Sequence, residues 1–130
     1  MATHRIFVVE DEEMIRDSLV EFLDEHGYEA VGAAHGRDAL DKLAASDLLP
    51  CLILLDLMMP GMDGSTFLQI GQKAQHRLQA GVIIVTALSA SEAADRTAGL
   101  DVVATLEKKE GFYGRVMDLV RQQLGSAAHH

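Results

Sequence analysis

Three short runs of unbroken apolar residues, Ile6 to Val9, Leu52 to Leu55 and Val82 to Val85, each stop abruptly on a polar residue. The first runs into Glu10-Asp11, the second into Asp56 and the third into Thr86. A strand with one wet face alternates apolar and polar side chains, whereas continuous apolarity marks a strand covered on both faces, as in a parallel sheet between helices. Two weaker runs, Tyr28 to Ala33 and Asp101 to Leu106, bring the expected strands to five.

Between the strands the apolar period becomes that of a helix. Ile15, Leu19, Phe22 and Leu23 share one face with Gly27 as a stop, and Leu40 and Leu43 mark a shorter helix after Gly36. Phe67, Ile70, Ala74 and Leu78 form another stripe, and Val116, Leu119, Val120 and Leu124 the last. Ser89 to Ala98 is alanine-rich with little apolar weight to hold it, so it is expected to be the most mobile helix. Strictly alternating strand and helix implies right-handed crossovers. The fold class is therefore α/β: a single doubly wound, three-layer sandwich of a five-stranded parallel sheet and five helices.

Composition limits the setting. The chain has 130 residues, 48% of them hydrophobic, enough for one self-sufficient core and too few for two full domains. One cysteine, Cys51, excludes an internal disulfide and points to a reducing, cytoplasmic setting. The longest apolar stretch, Leu48 to Leu55, is broken by Pro50 and falls far short of the ~20 residues of a membrane span. The apolar run before Glu10 is also too brief for a secretory signal. A formal charge of −9 disfavours direct contact with nucleic acid. Gly125 to His130 looks like a cloning scar or tag remnant, which leaves residues 4–124 as the expected domain.

In a doubly wound sheet the carboxyl ends of the strands form the ligand crevice, so Glu10, Asp11, Asp56, Thr86 and the lysines after the fifth strand, Lys108 and Lys109, are expected to converge there. Adjacent strands lie ~4.8 Å apart. Carboxylates at that spacing in a partly dry crevice must either take up protons or hold a cation. Mg²⁺ suits them, since it takes a few carboxylates and leaves positions open for phosphate oxygens. Phosphoryl transfer needs chiefly positioning and charge stabilisation, and a carboxylate is an accepted covalent nucleophile for it. Asp56, fixed by the buried run before it and followed by a Pro60-Gly61 turn, is the best-placed acceptor. Singly, each of these residues has a plainer reading as a helix cap, a strand-end hydroxyl or surface charge. Met58, Met59 and Met62 read as packing rather than soft-metal ligands, and the histidines lack metal-ligand spacing.

Val8-Val9-Glu10-Asp11-Glu12, Leu54-Leu55-Asp56 through Met62-Asp63-Gly64, Val85-Thr86-Ala87 and Leu106-Glu107-Lys108 together closely resemble the receiver domain of bacterial two-component response regulators, in order and over nearly the whole chain. The resemblance implies a flavodoxin-like sheet of order 2-1-3-4-5 with Asp56 as phosphoacceptor. It implies that Mg²⁺ is held by Asp11, Asp56 and the backbone carbonyl of Met58, with Glu10 acting largely through water. Thr86 would hydrogen-bond the phosphoryl group and Lys108 would pair with it. The implied donor is the phosphohistidine of a sensor histidine kinase or histidine phosphotransfer protein. A downstream effector domain or protein is the expected recipient, and the domain itself is expected to be a monomer or a phosphorylation-dependent dimer.

The departures also carry expectations. An aromatic residue usually stands three positions before the lysine, and Thr105 stands there. Proline usually follows the lysine through a cis bond; Lys109 replaces it, and the roughly 2.5–4 kcal/mol cost of a non-proline cis bond predicts a trans peptide. Met58 and Leu88, where the family controls the hydrolytic water, are both apolar, which predicts a slowly hydrolysed phosphoaspartate. The competing readings are a phosphorylation-independent pseudo-receiver used for docking, and a flavin or nucleotide carrier. The latter is disfavoured because Glu10 to Glu13 would repel a bare phosphate.

Overall fold

A computed structural model of the chain describes residues 5–45, 52–58 and 81–124. The expectations for Cys51, the Pro60-Gly61 turn, the Phe67 to Leu78 stripe and the tail from Gly125 lie outside the described residues. Within them the chain runs β1 (Arg5–Val9), α1 (Glu13–Glu25), β2 (Glu29–Ala33), α2 (Gly36–Ala45), β3 (Leu52–Leu55), β4 (Gly81–Thr86), α3 (Ala90–Arg96), β5 (Ala104–Glu107) and α4 (Phe112–Leu124). The strands form one sheet of order β2-β1-β3-β4-β5, and every pairing is parallel.

The continuous apolar runs are explained by two cores, one on each face. Ile6, Val8, Leu52, Leu54, Ile83 and Val85 point to the side covered by Leu19 and Leu23 of α1 and by Val116, Met117 and Val120 of α4. The intervening residues, Phe7, Val9, Ile53, Leu55, Val82 and Ile84, point to the other side, against Ala39 of α2 and Ala93 of α3. A one-residue slip of any central strand would exchange its two sets of side chains between the cores, so packing on both sides specifies the register.

Local chemistry sets the element ends. Gly27 takes φ 91° after α1. Its N–H donates to Asp24 O while the Tyr28 N–H donates back to Leu23 O, a pairing that satisfies the last carbonyls of the helix. A reciprocal capping box opens α3, in which the Ser89 hydroxyl accepts from the Glu92 N–H and the Glu92 carboxylate accepts from the Ser89 N–H. At the start of α2 the Asp38 N–H donates to His35 Nδ1, and the Asp38 carboxylate accepts from the Ala34 N–H at 3.0 Å. The edge strand β2 is held outward as well as inward, because Asp24 accepts from the Ala30 N–H and Lys42 donates to Gly32 O.

The bond from the Ala34 amide, aided by Lys42 at 3.3 Å, holds the Asp38 carboxyl below its ordinary value against a smaller opposing effect of burial. A depressed carboxyl stabilises the fold above its unfolded pKa and loses that contribution as pH falls through the folded one. The stability gap between the native chain and Asp38→Ala, measured by urea denaturation, is therefore expected to stay constant down to about the ordinary aspartate value of 3.8 and to close below it.

Candidate functional site

The sheet's hydrogen-bond ladder continues one step past the ends of β1, β3 and β5. The Glu10 N–H donates to Ala33 O and the Asp56 N–H to Val9 O, each at 3.0 Å, and the Lys108 N–H to Thr86 O at 2.8 Å. These bonds bring Glu10, Asp56, Thr86 and Lys108 to the carboxyl edge. Strand order reverses between β1 and β3, where the connections leave the sheet in opposite directions and a crevice opens. Glu10, Asp56 and Thr86 are buried there, at 2%, 5% and 0% exposure.

Lys108 ties the crevice together. Its Nζ lies 2.6 Å from Glu10 Oε1 and 2.9 Å from Asp56 Oδ2. The remaining carboxylate oxygens take backbone donors, Glu10 Oε2 from the Glu12 N–H and Asp56 Oδ1 from the Met58 N–H, both at 3.1 Å. Thr86 Oγ1 accepts from the Leu88 N–H at 3.4 Å. The neighbouring Lys109 points away, exposed and 3.7 Å from Glu107. All peptide bonds among the described residues are trans, Lys108–Lys109 included.

Both remedies expected for crowded carboxylates are present. Burial raises the Glu10 carboxyl from 4.5 to about 7 despite its bonds to Lys108 and the Glu12 amide. Burial on its own would lower the Lys108 ammonium, but the bonds to Glu10 and Asp56 outweigh it and hold the ammonium above its ordinary value. Carboxylate oxygens of Glu10, Asp11 and Asp56 all lie within 4.8 Å of one another. When all three are ionised, one ammonium against three carboxylates leaves a charge of −2. A hard divalent ion fits both that charge and an all-oxygen donor set. Asp11 is exposed at the mouth, as is the Met58 side chain.

Two features were missed in the sequence. The Arg16 guanidinium donates from Nη1 to the Glu10 carbonyl at 3.0 Å, and nothing distinguishes this arginine from ordinary charge on a helix. The Ser89-to-Glu92 capping box was legible from its spacing alone.

Fold and crevice together define a doubly wound α/β domain with an acidic, lysine-bridged site where the strand order reverses. Residues 6–113 match the family profile described as the response regulator receiver domain. The transcriptional regulatory protein HprR of Escherichia coli is 34% identical over 127 residues, covering 97% of this chain and 53% of its own length. Chemotaxis protein CheY4 of Vibrio cholerae superposes with a TM-score of 0.84 at 23% identity, covering 95% of this chain and all of that one, a likeness of fold. The response regulator TrrA of Thermotoga maritima, solved in complex with Mg²⁺–BeF, superposes with a TM-score of 0.76 at 31% identity, covering 94% of this chain and all of that one. The chain belongs to the receiver domains of bacterial two-component response regulators. It spans about half or less of the length of the curated relatives it matches. Among the described residues no helix is long and apolar enough to cross a membrane.

Lys108 is the counter-ion of two buried carboxylates, and removing one partner of a buried ion pair costs ~3–5 kcal/mol. Lys108→Met is expected to cost ~3 kcal/mol in urea denaturation of the metal-free protein, the lower end of that range, because Glu10 can offset part of the loss by taking up a proton.

Proposed function

We propose that this domain is a phosphorylation-controlled switch that accepts a phosphoryl group from a phosphohistidine donor onto Asp56 in a Mg²⁺-dependent reaction. The observation that carries this reading is the Lys108 ammonium shared between Glu10 and the buried Asp56 at the carboxyl edge. A carboxylate oxygen of Asp56 attacks phosphorus, the P–O bond forms as the P–N bond to the donor imidazole breaks, and the imidazole leaves as a neutral ring after taking a proton. Asp11, Asp56 and the Met58 carbonyl would hold Mg²⁺, with Glu10 acting largely through water, and the ion would supply neutralisation of the transferring group's charge. The Met58 amide holds Asp56 in one orientation through Oδ1. Lys108 sits where it can pair with the phosphoryl oxygens, and Thr86, at the end of the neighbouring strand, can hydrogen-bond them.

Phosphorylation replaces one negative charge on Asp56 with about two and adds acceptor oxygens, which draw Lys108 and Thr86 toward them. That shift re-weights two conformations of the face built by α3, β5 and α4, where partners read the state. Thr105 is exposed on β5, so no ring turns inward at that position. The donor is a sensor histidine kinase or histidine phosphotransfer protein. The recipient is a downstream effector domain or protein, and relatives named as transcriptional regulatory proteins favour an output on transcription made outside this acidic domain. The setting is the cytoplasm.

Acetyl phosphate with Mg²⁺ is expected to label the chain with one phosphoryl group, followed by intact mass, and the label is expected to vanish in Asp56→Asn and on chelation. Labelling that survives Asp56→Asn would move the acceptor elsewhere, and none in the native chain would favour the phosphorylation-independent docking reading. Because the Met58 and Leu88 side chains are apolar and orient no water, the acyl phosphate is expected to persist after the donor is removed. A lifetime of seconds, measured by loss of radiolabel, would count against that role.

A further inference from the structure

Every polar group of Glu10 is engaged. Its N–H donates to Ala33 O, Oε1 meets Lys108, Oε2 accepts from the Glu12 N–H, and its carbonyl accepts from Arg16 Nη1 at 3.0 Å. Asp11, the next residue, is exposed, and among the described residues its carboxylate accepts no hydrogen bond. The backbone must therefore aim it. The Glu10 carbonyl and the Asp11 N–H are opposite ends of one rigid peptide unit, so whatever pins that carbonyl restricts rotation of the plane that leads into the Asp11 Cα.

A second observation concerns how Arg16 gets there. Its stem passes over β2 at Gly32, where an added Cβ would lie 3.2 Å from both Arg16 Cγ and Cδ and 3.5 Å from Val20 Cγ2. Glycine weakens a strand and offers no side chain to pack, and its usual justification there is the close approach of another group. The approaching group here is the arginine stem, half-buried between α1 and the edge strand.

We propose that Arg16 is a positioning residue for the acidic turn: by holding the Glu10 carbonyl it fixes the Glu10–Asp11 peptide and so presents the Asp11 carboxylate to a divalent cation, with Gly32 providing its path. The proposal rests on reading that turn as a cation site. Its sign is informative, because a guanidinium beside a cation site disfavours the ion by simple repulsion. If charge alone mattered, removing Arg16 would tighten Mg²⁺ binding, whereas loss of positioning weakens it.

The test titrates Mg²⁺ alone into the metal-free chain by calorimetry, beside urea denaturation in chelator. Arg16→Met keeps the stem and removes the donor, and Arg16→Lys keeps the stem and one donor. Gly32→Val fills the path with a residue that strands favour, which guards against a variant that merely fails to fold. Loss of a group that orients a metal ligand typically costs about 10-fold or more in metal affinity. The Mg²⁺ dissociation constant is expected to rise about 10-fold in Arg16→Met and in Gly32→Val, with most of the affinity restored in Arg16→Lys and the metal-free denaturation midpoint little changed. In amide NMR spectra of the metal-free chain, the Asp11 and Glu12 signals are expected to move in both weakened variants. Native binding with unchanged or tighter binding in Arg16→Met overturns the role of Arg16 while leaving the cation site intact. No Mg²⁺ binding by the native chain overturns the cation-site reading itself.

Discussion

An ammonium group shared by two buried carboxylates is the interaction on which this molecule turns. Taking ions out of water costs several kcal/mol each, and attraction between them compensates only when geometry is close and the remaining lone pairs find donors. Lys108 meets Glu10 and Asp56 at short range, and the other oxygens take the Glu12 and Met58 amides. The arrangement still leaves the crevice short of positive charge, with Glu10 pushed up to about 7 by burial. A fold that only had to be stable would have no reason to keep such a site where apolar residues could pack. Under the proposed function, its value lies in being ready for a further cation and an incoming anion.

The sheet makes that readiness possible because its interior is rigid and its edge is not extended. Beyond Arg5 and Gly81 at their starts, the residues of β1, β3 and β4 are buried on both faces, so the residues one step past each strand inherit a fixed origin. Ladder hydrogen bonds that continue to Glu10, Asp56 and Lys108 carry this rigidity into the site. Groups that must hold charge at near-contact distances tolerate little misplacement. Reversal of strand order between β1 and β3 then supplies the open space above them.

Much of this is legible in the amino-acid sequence because burial on two faces writes itself there as unbroken apolarity. The runs Leu52 to Leu55 and Val82 to Val85 gave β3 outright and β4 to within one residue at each end. Asp101 to Leu106 overshot β5 at its start, since an edge strand with an exposed Thr105 lacks the two-faced signal. The acidic residues were visible for the same reason, as charges that end apolar runs. Lys108 could be preferred over Lys109 only through the family resemblance, because adjacent lysines are alike until a strand fixes which way each one points. Arg16 and Gly32 were not legible at all, as their relation exists only once α1 lies over β2.

Thr105 sharpens the question of how a change at the crevice leaves it. With an exposed hydroxyl where a ring commonly stands, a swing of that side chain cannot fill space vacated by Thr86, which is itself wholly buried. A mechanical link among the described residues is the main chain. The Lys108 N–H is bonded to Thr86 O, so the residue that balances the carboxylates and the residue that ends β4 are parts of one hydrogen-bonded unit. Under the proposed function, a new charge on Asp56 that draws the Lys108 ammonium also pulls on the loop before α3, whose start is held by the Ser89–Glu92 box. Rigid capping of a short helix that buries little but Ala93 lets it move as a body rather than fray. A backbone couple of this kind needs no aromatic lever, and it gives the site a route to the α3–β5–α4 face consistent with the residues this chain carries.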